Sequence, residues 1–134
     1  MEKKAPKNWQ ELTALMEYLV DCPVDFFRLD EDEAKYGEWK KRGTREEVLI
    51  NLNDELGDSE IKILRNNFSY TKILQHLPNV QDWVLWNRKG KLNDKKIREI
   101  VNTEFVGKEW CYFERGANHK SVPEIWHCHV FVKN

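Results

Sequence analysis

The chain has only three cysteines, Cys22, Cys111 and Cys128, and no Cys-x-x-Cys spacing. An odd number without that spacing predicts a reducing compartment. The opening residues Met1-Glu2-Lys3-Lys4-Ala5-Pro6-Lys7 contain no apolar signal segment, and neither end carries a lipidation motif. A cytoplasmic or otherwise intracellular location, without secretion, is therefore expected. No apolar stretch approaches the roughly 20 residues of a membrane-spanning helix, so a soluble protein with no membrane partner is expected. Internal repeats, low-complexity tracts and Lys/Arg runs of the nucleic-acid-arm type are also missing, which removes solenoid folds and specific DNA binding from the expectations.

What is present suits one core. Of 134 residues, 40% are hydrophobic and 34% charged, which predicts a single domain over residues 1–134. Net charge is −1, but residues 1–60 carry 9 Lys/Arg against 16 Asp/Glu, giving −7, while residues 61–134 carry 13 against 7, giving +6. Such segregation fits either attraction between the two halves or an anionic ligand held by the basic half. Six tryptophans are many for this length, and supply core area or line a pocket.

Asn8 with Glu11 makes a capping box ahead of Trp9, Leu12, Met16 and Leu19, which recur at helical spacing until Asp21-Cys22-Pro23, so a first helix is predicted there. Asp30 to Arg42, ended by Gly43, is predicted as a second helix; Thr44 with Glu47 opens a third, whose stripe of Val48, Leu52 and Leu56 stops at Gly57. Residues 60–65 read as a turn, and Asn66 to Tyr70 as turn chemistry. Gln81 to Asn87 reads as a strand. Asn93 or Asp94 then caps a helix with Ile97, Ile100, Val101 and Phe105 on one face, Trp110 to Glu114 is a second strand and Glu124 to Lys133 a third. A fourth strand is expected near Ile63 or Ile73. Helices over 1–57 followed by strand, helix, strand, loop and strand over 58–134 predict an α+β domain. Its helical layer packs on a small, mostly antiparallel sheet, with one helix between the first two clear strands.

The last strand carries the chemistry. His127 and His129 stand two positions apart in the apolar run Ile125 to Val132, so a strand puts them on one face with Ile125 and Phe131, and turns Trp126, Cys128, Val130 and Val132 to the other. Burying two imidazoles costs free energy unless each has a hydrogen-bonding partner, an anionic ligand or a metal. In phosphate chemistry such a pair binds the anion, works as acid and base, or attacks phosphorus through nitrogen. The loop before it offers Asn118, His119, Lys120 and Ser121 as ligand contacts, and Asn67, Tyr70 and Trp86 are further candidates for lining the cleft. In a metal site, His127, His129 and His119 would hold a divalent ion, although His-x-His alone selects none and no metal or other cofactor is the primary expectation. As structural residues, the rings would donate to carbonyls or carboxylates. The residues leave these three readings open.

Ser121-Val122-Pro123 followed by His127-Cys128-His129-Val130 resembles the end of the histidine-triad nucleotide hydrolases and transferases. The resemblance implies that His127 matches the nucleophile and His129 the last histidine, while Ile125 stands where the first histidine belongs. A wider resemblance covers nearly the whole chain. Ile63 to Tyr70, Val80 to Asn87 and Lys120 to Phe131, with Trp9 through Trp39, are similar to the largely fungal family of unknown function that includes the N-acetylglucosamine-induced protein. Asn67, Ser69 and Asp82 stand where that family has Asp, Pro and often His. The family implies a fold and no particular reaction.

These observations lead to the expectation of a small protein that binds, and by hydrolysis or transfer turns over, a phosphorylated small molecule such as a nucleotide or sugar phosphate. His127 acts as nucleophile or acid–base and His129 as its partner. The alternatives are a non-enzymatic module for a protein partner and a histidine-based metal-binding domain.

Overall fold

A computed structural model of the protein describes residues 4–22, 26–42, 45–66, 68–116, 122 and 124–134. Its elements are α1 (Trp9–Ala14), α2 (Met16–Leu19), α3 (Asp30–Arg42), α4 (Arg45–Leu56), β1 (Ile61–Arg65), β2 (Val80–Asn87), α5 (Asp94–Glu104), β3 (Glu109–Phe113) and β4 (Trp126–Lys133). The strands form one antiparallel sheet in the order β1-β2-β4-β3. Helices lead and the sheet follows, with α5 between β2 and β3, as the α+β pattern predicts. Among the described residues, no helix is long and apolar enough to cross a membrane.

Local chemistry accounts for most element ends. Asn8 Oδ1 accepts the Glu11 amide at 2.8 Å and starts α1; Asn93 Oδ1 does the same for Lys96 at 2.8 Å and starts α5. The first helix is not continuous. Leu15 takes φ −85° and ψ −9°, and its amide reaches back only to Leu12 O at 3.0 Å, so the chain tightens for one residue while Leu12, Leu15 and Leu19 still bury together. Residues 60–65 are not the expected turn, since Ile61–Arg65 is the edge strand β1, with Ile63 opposite Leu85. The fourth strand thus lies near Ile63. Ile73 is fully buried in a run of turns.

The two faces of the sheet pack against different partners. Leu85, Cys128, Val130 and Val132 meet Ile97, Val101 and Phe105, the buried side of α5. On the opposite face, Val84 and Trp86 meet Leu52 and Leu56 of α4, while Phe113 and Phe131 meet Leu12, Leu15 and Leu19 together with Phe27 and Tyr70. Ile125, just before β4, belongs to the α4 cluster, and Phe131 within it to the α1–α2 cluster. Between them, on the same face, stand His127 and His129.

Candidate functional site

β4 is an interior strand, and its register fixes both histidines: His127 lies opposite Trp86, and His129 lies between Val84 on β2 and Phe113 on β3. The rings share a face, with centroids 5.7 Å apart and planes at 81°. They are deeply placed, with 5% of His127 and 7% of His129 exposed. His127 packs on Trp86 at 4.3 Å between centroids, and its Nδ1 lies 3.0 Å from Ile125 O. A carbonyl can only accept, so Nδ1 carries the proton and the lone pair of the neutral ring is on Nε2. His129 is flanked by Phe113 and Tyr70, with centroids at 5.2 and 4.9 Å, and its Nε2 lies 2.9 Å from the Tyr70 hydroxyl. Burial, followed by the neighbouring Asp82 charge, raises the Tyr70 pKa far above the ordinary phenol value, while Arg28 and Arg115 act in the opposite direction. Tyr70 is therefore a neutral phenol at physiological pH.

Asp82 holds Tyr70 from its other end. Its Oδ2 accepts the Tyr70 amide at 2.9 Å, Asn66 Nδ2 at 3.2 Å and the Ser69 hydroxyl at 3.4 Å. Its Oδ1, in a side chain 1% exposed, has no hydrogen-bond partner among the described residues. Burial pushes the carboxyl up to about 7; the Tyr70 amide, Arg28, Asn66 and Ser69 pull the other way.

Two buried guanidinium groups complete the seam. Arg28 donates from Nε to Phe68 O at 2.8 Å, pairs with Glu33 at 3.3 Å, and lies 4.0 Å from the Tyr36 and 5.0 Å from the Tyr70 ring centroids. Arg115 donates to Leu19 O at 2.8 Å and Cys22 O at 3.0 Å, over the Phe27 ring at 4.5 Å. Among the described residues, Arg115 has no carboxylate partner. Arg28 is held by one carbonyl, the Glu33 carboxylate and aromatic rings, and Arg115 by carbonyls and the Phe27 ring, an arrangement that places both guanidinium groups in a poorly solvated region.

Of the residues singled out in the sequence, His127, His129, Tyr70 and Trp86 come together here. Asn118, His119, Lys120, Ser121 and Asn67 lie outside the described residues. No group of three His, Cys, Asp or Glu side chains fit for a metal occurs among the described residues, so His127 and His129 gain no third ligand there. Cys128 sits in the α5 cluster, away from the histidines. Sequence reasoning noted Asp82 only as a departure from the family pattern, and missed Arg28, Arg115 and Phe113. Only Asp82 left a signal, as the one carboxylate of the strand Val80–Asn87, on the same alternation as Val84 and Trp86.

No family model matches the chain, and no curated protein matches it either. A crystal structure of a protein named HTC1 is similar, with a TM-score of 0.65 and 20% identity over 94% of this chain and 84% of that one. At that identity the likeness concerns the fold alone.

Proposed function

We propose that this protein binds a small phosphorylated molecule at the His127–His129 pair and transfers or hydrolyses its phosphoryl or nucleotidyl group. The observation that carries the reading is the arrangement of the two rings: one face, 5.7 Å between centroids, with a phenol on His129 and guanidinium groups behind it. In this reading the His127 Nε2 lone pair attacks phosphorus. The leaving oxygen departs with a proton from the protonated His129 ring, which the Tyr70 hydroxyl positions; water then attacks phosphorus, returning one proton to His129 as the phosphorus–nitrogen bond breaks and His127 is regenerated. Arg28 and Arg115 offset the charge on the phosphate oxygens. The protein would act inside the cell and need no metal. We also infer membership of the largely fungal family named above, because its three blocks supply Tyr70, then Asp82 and Trp86, then His127 and His129, the side chains that meet here.

The test is a panel of nucleotides and sugar phosphates, followed by turnover and by thermal shift, with His127→Ala alongside. Turnover or stabilisation that vanishes in His127→Ala is expected. Silence across the whole panel would remove the proposal.

One observation favours the interaction-module alternative. β3 is a sheet edge, and beside it lies a cleft of about 660 Å³ lined by Met16, Val20, Lys91, Arg98, Trp110 and Tyr112 among others. An extended segment of a protein partner adding itself as a strand would fit that edge. Its mark would be partner binding that survives His127→Ala.

A further inference from the structure

We infer that Trp39, Tyr36 and Phe68 form the subsite for a nucleobase, so that the ligand of the histidine pair is a nucleotide and not a plain sugar phosphate; the inference rests on the proposed phosphate site. The three rings form one cluster, with centroids 5.0 Å apart for Trp39–Phe68, 5.1 Å for Tyr36–Phe68 and 6.0 Å for Tyr36–Trp39. They stand on an otherwise charged helix and the turn facing it, and 39% of Trp39 remains exposed, unusual for so large an apolar ring.

The cluster is tied to the histidines through side chains already in place. Phe68 lies two residues before Tyr70, whose hydroxyl meets His129. The Arg28 guanidinium bonds Phe68 O and lies between Tyr36 and Tyr70, 4.0 and 5.0 Å from their centroids. Lys40 Nζ lies 5.2 Å from the Tyr36 centroid and adds a second cation on this side. From His129 to Tyr70, Arg28 and Tyr36 the contacts run in steps of 4.9, 5.0 and 4.0 Å, and base–aromatic stacking on a platform at the end of that run is tolerant of base identity. A sugar phosphate has no ring to stack, and leaves Trp39 unused. If the rings only anchor α3 on Phe68, removing Trp39 would change stability without changing which ligand is preferred.

The experiment compares the affinities of adenosine 5′-monophosphate and ribose 5-phosphate for wild type, Trp39→Ala, Trp39→Phe and His127→Ala. Wild type is expected to bind the nucleotide at least about ten-fold more tightly. Trp39→Ala should erase that margin while leaving ribose 5-phosphate unchanged, and Trp39→Phe should restore most of it. Equal affinities in wild type, or an unchanged ratio in Trp39→Ala while His127→Ala weakens both ligands, would overturn the base subsite and leave the phosphate site standing. Failure of both ligands to bind wild type would overturn the two readings together.

Discussion

The two faces of the sheet are made by alternate residues of the same strands, yet they are built on different terms. Toward α5, β2 and β4 present Leu85, Cys128, Val130 and Val132, all fully buried and all apolar or nearly so. Toward the N-terminal helices the same two strands present Asp82, His127 and His129, almost as deeply buried and separating two apolar clusters. Each apolar side chain on the first face contributes about 1.5–3 kcal/mol by leaving water. Hydrogen-bonded polar groups on the second contribute about 1 kcal/mol net, and cost more where a partner is lacking, as at Asp82 Oδ1 among the described residues. Stability alone explains the α5 face. The histidine face gives up stability that apolar residues would have supplied.

The contrast should break most sharply at Leu85. Leu85→Ala leaves a cavity under α5, and urea denaturation is expected to show a loss of about 2–5 kcal/mol with ligand binding retained. Asp82 gives the next largest effect, with an unusual sign. Its folded pKa of about 7 lies above the ordinary value near 4, so the folded state holds the proton more tightly. Its contribution is complete below about pH 4 and is lost as pH rises to about 7, by a few kcal/mol. The stability of wild type relative to Asp82→Asn should therefore fall across that window; a flat difference would mean that the carboxyl titrates normally. Tyr70→Phe removes the hydroxyl bonded to His129 and should cost about 1–3 kcal/mol in the same denaturation assay, together with most of any turnover. Asn93→Ala, which uncaps α5 on the other side of the sheet, should cost about 1 kcal/mol and leave ligand binding untouched.

The sequence was most legible where neighbours in the chain decide the outcome. α3 spans Asp30–Arg42 as its charges and Gly43 suggested, and Asn93 caps α5 as its side chain allows. β1 reads only faintly as a strand, near Ile63, because Lys62 and Arg65 interrupt its apolar residues, and pairing with β2, about 20 residues later, is what makes it one. The break at Leu15 was hidden because apolar spacing continues across it. At the site, strand alternation placed the histidines on one face, and Tyr70 and Trp86, picked out as candidates, arrive against them. The supporting groups could not be read this way. Asp82 becomes a buried anchor only when Asn66, Ser69 and Tyr70 fold onto it, and Arg115 finds the carbonyls of Leu19 and Cys22 more than 90 residues away.

The account turns on whether the histidine face receives a phosphorylated guest. Nitrogen NMR of the His127 and His129 rings, assigned with His127→Ala and recorded without and with adenosine 5′-monophosphate, tests this most directly. The account predicts a proton on His127 Nδ1 in the unliganded protein, and ring-nitrogen shifts at both histidines that saturate as the nucleotide is added. Rings that keep the same nitrogen shifts with that nucleotide and with every sugar phosphate tried would contradict it, and would leave the pair as hydrogen-bonded packing between two apolar clusters.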